Sequence, residues 1–395
     1  MDLTYSAEDE RFRTALRSWL ETAVPAHGSP PPAGDWAARR AYDTAWQRQL
    51  FEAGYAGLHW PAAFGGRGLP ISQQLVYLEE YARANAPYIG INFVGMMHAG
   101  PTLIAEGTDE QRAFYLPRIL RGESIWCQGF SEPQAGSDLA SMKTSAVRAG
   151  DEYIVNGQKI WSTRAHVADF CELLVRTDPD APKHKGITWL ILDVHQPGVE
   201  VRPMRTIDGE SHFCEVFFTD ARVPVSNRVG AENDGWRVAN VTLRFERGTA
   251  FAQHIITMRT HIRNLVSLAR QVPTADGGVA WDDPALRGQV GRLEAAVDGL
   301  WRLTQRGITE AERTGIPAPT GSAVKLRYSE LTQEITELMM RVAGQAAIGG
   351  ADLGDISADA IAHDYLWSLQ YTIAAGTSQI QRNLVAERIL GMPRR

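Results

Sequence analysis

Residues 128–141 read QGFSEPQAGSDLAS, and this stretch marks the point at which one kind of periodicity gives way to another. Upstream of it, apolar residues recur at helical spacing: Phe12, Leu16, Trp19 and Leu20, then Trp46, Leu50 and Phe51, then Leu75, Val76 and Leu78. Downstream, from about Gly122 onward, the runs become alternating or β-branched. Tyr153-Ile154-Val155, Ile187 to Leu192 and Val216-Phe217-Phe218 read as strands, with turn signals at Asn156-Gly157, Pro197-Gly198 and Asp208-Gly209. No helical crossover long enough for a parallel sheet separates them, so an antiparallel barrel or sandwich is expected. Helical periodicity returns after Asn233 and Asp234, either a plausible N-cap, and runs to the end, broken by loops at Pro273–Pro284 and Thr314–Gly321. The expected order is α, β, α: a mixed α and β chain with a helical segment over 1–122, a β domain over 123–232 and a second helical domain over 233–395. Within the first segment, Pro25 to Gly34 reads as a surface loop, and Ser72 as a cap for the helix after it.

Composition narrows the function. The 395 residues are 44% hydrophobic and 22% charged, which describes a globular chain of two or three domains. Forty basic residues stand against 46 acidic ones and are dispersed, so nucleic acid is not an expected partner. The acidic start MDLTYSAEDERF is unlike a signal peptide, and no apolar run reaches the roughly 18 residues of a membrane span. Cys127, Cys171 and Cys214 form no CxxC pair, against a zinc knuckle or dithiol centre, and the expected setting is the reducing cytoplasm without a membrane partner. HExxH, GxSxG and GxxxxGK[ST] are absent, as is GxGxxG after a strand. No metal site is expected.

Three segments offer chemistry. In the opening stretch, Gly136 and Ser137 allow backbone N–H groups and a hydroxyl to approach a pyrophosphate, although the same residues also make an ordinary turn. Gly157 to Thr163 sets the Trp161 indole beside two hydroxyls, suited to a planar heterocycle, or equally to a half-buried strand. Gly376 to Arg382 reads as a turn and a helix that Thr377 or Ser378 caps; a helix start with free N–H groups suits a polar ligand, and a capped terminal helix needs none.

Taken in order, these segments resemble the acyl-CoA dehydrogenase family over nearly the whole chain. The resemblance is carried by Ala53 to Leu58 with Trp60-Pro61 and Gly65-Gly66, by Ser131-Glu132-Pro133 with Ala135 to Asp138, by Gly157 to Thr163 with Ala168-Asp169, and by Gly376 to Arg382. It implies an FAD flavoprotein with a helical N-terminal domain, a middle antiparallel β domain and a C-terminal four-helix bundle, usually a tetramer. By position it implies Phe130 and Ser131 beside the flavin ring, Ser137 at the pyrophosphate or substrate, Trp161 and Thr163 flanking N5, and Thr377 and Gln379 as further FAD contacts.

The chain departs from most of the family where the catalytic glutamate precedes Gly-Thr, because Ala375 stands there and cannot remove a proton. The isovaleryl-CoA and long-chain branch supplies its base from the first bundle helix in a Leu-x-x-Glu-Arg context, and Leu243-Arg244-Phe245-Glu246-Arg247 is similar. Glu246 has small or apolar residues at helical spacing, Thr242, Leu243, Thr249 and Ala250, which fits a partly desolvated general base. The implied reaction is α-proton abstraction by Glu246 and β-hydride transfer to flavin, giving a trans-2-enoyl thioester, with the Ala375 backbone N–H on the thioester carbonyl and Arg247 near the substrate. The Arg-x-x-Phe-Gly interface motif of many relatives is missing; Arg270 is a possible substitute, with Gln345 as the other interface contact to FAD. Such incomplete motifs resemble those of actinobacterial heteromeric dehydrogenases of steroid side-chain breakdown. The expected partners are an acyl-CoA or acyl carrier protein thioester, an electron-transfer flavoprotein, and either a homotetramer or an α2β2 heterotetramer. The alternatives are a non-catalytic partner subunit and a flavin-dependent oxidase or monooxygenase.

Overall fold

The computed structural model describes residues 5–246, 250–314, 320–350, 352–354 and 356–393. The chain forms two compact units, one of 11–74 and 84–246, the other of 1–10, 75–83 and 247–395.

In the first unit, α1 (Ala7–His27) and α2 (Trp36–Glu52) bury the stripe that their spacing predicts, Leu16, Leu20, Trp46 and Leu50, and the Trp19 ring lies 5.5 Å from Trp46 and 5.0 Å from Tyr55. Helix α1 runs through Pro25, so the loop begins later than the sequence suggests. The proline stands in the last turn, where its missing N–H removes one bond from a helix about to end. Helix α3 (Ile71–Arg83), whose residues 75–83 belong to the second unit, starts one residue before Ser72, with the Pro70 carbonyl accepting from the Gln73 and Gln74 N–H groups, so Ser72 lies inside the first turn and not at the cap. Helices α4 (Gly100–Glu106) and α5 (Asp109–Leu120) follow; α5 is closed by a capping box between Thr108 and Gln111. The Gln111 amide also donates to the Ser226 and Arg228 carbonyls at 2.8 and 2.9 Å, which fastens the helical layer to the strands.

The strands are β1 (Trp126–Gly129), β2 (Ser145–Ala149), β3 (Glu152–Thr163), β4 (Phe170–Arg176), β5 (Ile187–Asp193), β6 (Val199–Met204), β7 (Phe213–Pro224) and β8 (Arg228–Val229). They form one eight-stranded sheet in the order β6-β7-β3-β2-β4-β5-β8, with β1 beside β4. Most pairs are antiparallel, as expected; β1 and β2 each meet β4 in parallel. Asn156-Gly157 is not a turn but a bulge within β3, where the register against β7 shifts. A Cβ on Gly157 would stand 2.7 Å from the Thr144 Cα, so glycine is there for close approach of two backbones. Cys127, Cys171 and Cys214, far apart in sequence, meet in the apolar core of this sheet as free thiols. Helix α6 (Gly235–Glu246) then leaves the sheet. Asp234 directly precedes it, but its carboxylate is held by Arg237 at 2.6 Å.

The second unit contains α7 (Ala250–Gln271), α8 (Pro284–Thr314), α9 (Gly321–Ala343), α10 (Gln345–Gly349), α11 (Ala358–Ser368) and α12 (Ser378–Arg388). Helix α9 is its centre and packs against α7, α8, α11 and α12. Its Val324, Leu331, Ile335 and Leu338 are buried with Leu265 and Leu268 of α7 and Val297 and Leu300 of α8. Among the described residues no helix is long and apolar enough to cross a membrane.

Candidate functional site

Strand β3 alternates up to Val155, is interrupted by the bulge at Asn156-Gly157, buries Lys159, and then shifts its register against β7 again, between Lys159 and Ser162. The shift turns Trp161 outward with a left-handed φ of 61°, leaving its indole 53% exposed and edge-on to Phe213 at 5.8 Å. Left-handed backbone is unusual for a bulky residue and is kept where the surroundings impose it. The next hydroxyl, Ser162 Oγ, is fully buried with no hydrogen-bond partner among the described residues, and Thr163 closes the strand half-buried.

The loop from Phe130 to Thr144 is held against this strand by a buried ion pair that the sequence reading did not single out. Lys159 Nζ lies 2.9 Å from Glu132 Oε1 and 3.0 Å from the Phe130 carbonyl, and both charged side chains are at most 2% exposed. Glu132 also accepts from the Lys143 N–H at 2.6 Å, the Thr144 N–H at 2.8 Å and the Gln134 amide at 2.7 Å. Burial works to raise this carboxyl, but the Lys159 charge and the surrounding donors outweigh it and hold the group below the usual carboxylate range. Burial pulls the Lys159 ammonium down, and the neighbouring Glu132 carboxylate works against that pull. The signal for it lay in motifs already noted, since Glu132 follows Ser131 and Lys159 falls on the inward positions of β3.

This clamp sets the predicted residues in place. Phe130 is buried, and the Ser131 carbonyl accepts from the Ile160 N–H at 3.0 Å, so Phe130 and Ser131 lie beside the Trp161 strand. Ser137 is exposed, as is Gly136, where a Cβ would meet nothing within 4 Å. Asp138 beside it holds Lys183 and Ser141, each at 2.6 Å. Asp169 receives Arg40 through two contacts of 2.8 Å and the Ile125 N–H at 2.8 Å, which ties β1 to helix α2. Glu246 is the last residue of α6; its side chain, and the whole of Arg247, lie outside the described residues. One turn before it, Thr242 is buried with its hydroxyl 2.8 Å from that of Thr102.

The second group sits in the other unit. Thr377 caps α12 by accepting from the Ile380 N–H at 3.2 Å, as its position suggests, and Gln379 is exposed in the first turn. Ser378 Oγ is buried with no partner among the described residues. Ala375 and Gly376 both take left-handed φ, 53° and 84°, and the Gln381 amide, to which the sequence assigned no role within its motif, donates to their carbonyls at 3.0 and 3.3 Å. Ala375 is exposed, and no described residue accepts its N–H. Arg270 is exposed with its guanidinium 5.6 Å from the Trp281 ring centre, and Gln345 starts α10; neither is bonded to the Gly376 segment among the described residues.

Chemically, the β3 group offers a ring face, two hydroxyls and a small-residue loop. The α12 group offers a helix start, a buried hydroxyl and a free backbone donor. Exposed indole and buried unsatisfied donors are what a large planar cofactor with polar edges and a pyrophosphate can use.

Comparison with known proteins agrees across the chain. Residues 6–123 match the acyl-CoA dehydrogenase N-terminal domain, 127–221 the middle domain and 233–390 the C-terminal domain. The chain is 39% identical over 398 residues to the acyl-CoA dehydrogenase IpdE1 of Mycobacterium tuberculosis, covering 98% of both. Among solved structures it is similar to the ChsE4-ChsE5 complex of Mycobacterium tuberculosis, with a TM-score of 0.85 and 32% identity over all of both chains. The Tcur3481-Tcur3483 steroid ACAD gives a TM-score of 0.86, again at 32% identity and full coverage. With its helical and sheet units, its three matched domains and relatives aligned from end to end, the chain belongs to the acyl-CoA dehydrogenase family.

Proposed function

We propose that this protein is an FAD-dependent dehydrogenase that converts a CoA-linked or carrier-protein-linked acyl thioester to its trans-2-enoyl form, and that its acyl group is bulky and steroid-derived. The observation that carries the reading is the bulge that turns Trp161 out of β3 at a left-handed φ, its indole exposed beside a buried Ser162 hydroxyl that has no partner among the described residues. The substrate class is supported by the likeness to the Tcur3481-Tcur3483 steroid ACAD.

Bound FAD supplies the hydride acceptor. The residues that hold it in this reading are Phe130, Ser131, Ser137, Trp161, Thr163, Thr377 and Gln379, with Arg270 and Gln345 serving across a subunit interface. Glu246 takes the α-proton, a role that Ala375 has no side chain to perform. The Ala375 N–H donates to the thioester carbonyl as negative charge grows there, and Ser137 and Arg247 contact the substrate. The same reading divides the chain at 1–122, 123–232 and 233–395, sets the work in the cytoplasm, and names an electron-transfer flavoprotein as electron acceptor. A complex of two unlike subunits fits the ChsE4-ChsE5 and Tcur3481-Tcur3483 neighbours.

The test is the visible spectrum of the purified protein, with any subunit that accompanies it, before and after anaerobic addition of straight, branched and steroidal acyl-CoA thioesters. A flavin band that one thioester bleaches is the expected result. Glu246→Gln should keep the band and lose the bleaching; bleaching that survives the substitution removes Glu246 from the mechanism.

A further inference from the structure

The segment between α11 and α12 bends against its own preference. Ala375 is a non-glycine residue at φ 53°, directly followed by Gly376 at 84°, and left-handed backbone is strained for an L-residue. The bonds that hold it come largely from one face of α9. Gln333 Nε2 donates to the Ser368 carbonyl at 3.2 Å and reaches the Leu369 carbonyl at 3.4 Å and the Thr372 hydroxyl at 3.1 Å. Two helical turns earlier on that face, Lys325 Nζ donates to the Tyr371 carbonyl at 2.6 Å. The Ile373 and Ala374 N–H groups both turn back to the Gln370 carbonyl at 2.8 Å. Further along, Gln381 takes the carbonyls of Ala375 and Gly376. With the carbonyls drawn towards the bundle, the exposed Ala375 keeps an N–H that no described residue accepts.

Lys325 is an unusual choice for a structural tie, because it is only 2% exposed and an ammonium is costly to bury. Nearby, His254 stacks on Tyr328 at 5.1 Å and meets Tyr371 edge-on at 5.1 Å, and burial pushes the His254 imidazole down to about 4, so it is neutral at working pH. A charge-assisted bond is shorter and stronger than a neutral one, and it fixes the peptide it grips more firmly.

We propose that Lys325 and Gln333 are positioning residues for thioester recognition, holding the Tyr371–Gly376 segment so that the Ala375 N–H meets the carbonyl oxygen of the acyl thioester. The proposal rests on the reading of Ala375 given above and adds the α9 side chains that make that reading work. Neither residue touches the substrate; each acts through the backbone that it grips. A donor displaced by a few tenths of an ångström stabilises the developing charge less, so the effect falls on turnover and on carbonyl polarisation more than on folding.

The experiment uses the protein as purified, with any accompanying subunit, and the enoyl product of whichever thioester bleaches the flavin, labelled with 13C at the thioester carbonyl. Raman or infrared difference spectra of the bound product report the carbonyl stretch, which a hydrogen bond lowers relative to the free thioester. In Lys325→Met and Gln333→Met the lowering should shrink by about half or more and kcat should fall on the order of tenfold, with flavin content unchanged. Both variants folded, with the wild-type carbonyl frequency, would overturn the proposal. Should Lys325→Met fail to fold, Gln333→Met decides alone, because it removes only a half-buried neutral amide. A wild-type protein that binds the product without lowering its carbonyl frequency refutes the Ala375 reading itself; a lowered frequency that the variants leave intact refutes only the role of α9.

Discussion

Replacing Lys159 with methionine removes one charge from a pair in which Lys159 is 0% and Glu132 2% exposed, and strands the carboxylate inside the sheet. Breaking a buried pair from one side costs about 3 to 5 kcal/mol, and Glu132 retains three donors, Lys143 N–H, Thr144 N–H and the Gln134 amide, so the low end applies, about 3 kcal/mol. In a cooperative unit of this size that corresponds to a fall in Tm of roughly 6 to 12 °C. Adding Glu132→Gln removes the stranded charge, so the double variant should recover about 1 to 2 kcal/mol of the loss. The sign with pH follows from the lowered Glu132 carboxyl. Its contribution is present above the unfolded value of about 4.3 and is lost as pH falls through the lower folded value, so wild-type stability should fall in that acid window more steeply than that of Glu132→Gln. In Lys159→Met the carboxyl protonates more readily, and the deficit against wild type should narrow on acidification. Urea unfolding at neutral pH and at about pH 4 measures both quantities. A loss below about 1 kcal/mol, or a deficit that does not change with pH, refutes the claim that this pair clamps the loop.

Three further outcomes are expected. Trp161→Ala should change stability by no more than about 0.5 kcal/mol, because the indole is exposed, while the flavin content of the purified protein drops; a protein that keeps its flavin places the cofactor elsewhere. Thr377→Ala should cost about 1 kcal/mol through the lost N-cap of α12, read by thermal unfolding, with Thr377→Ser close to wild type. Gly157→Ala should cost about 1 to 3 kcal/mol, since its Cβ would press on the Thr144 backbone at 2.7 Å, and an unaffected Tm would mean that the two strands part without penalty.

The order of helical, β and helical segments was legible in the sequence because it rests on periodicity, a local property: Leu16, Leu20, Trp46 and Leu50 are buried as their spacing requires, and Ile187 to Leu192 form a strand buried on both faces. A cap for α12 at Thr377 or Ser378 was legible for the same reason, and the structure gives the role to Thr377, whose hydroxyl accepts from the N–H three residues on. The likeness to the family was legible because its motifs are short runs. Asn156-Gly157 misled for a physical reason, since the dipeptide that makes a hairpin turn also makes a bulge, and only the approach of Thr144 across the strand distinguishes the two.

Tertiary structure alone decided which charges are buried and with whom. Lys159 and Glu132 stand 27 residues apart, and Lys325 and Tyr371 stand 46 apart; no spacing rule joins them, because the fold brings each pair together only after distant segments have packed. The same holds for the three cysteines, scattered in sequence and gathered in one core. Local pattern fixes which face of an element is apolar, whereas the partner of a buried polar group is set by whatever that face meets. For this protein the sequence determined the elements, their order and the motifs of the site, and the packing determined the side chains that hold those motifs in shape.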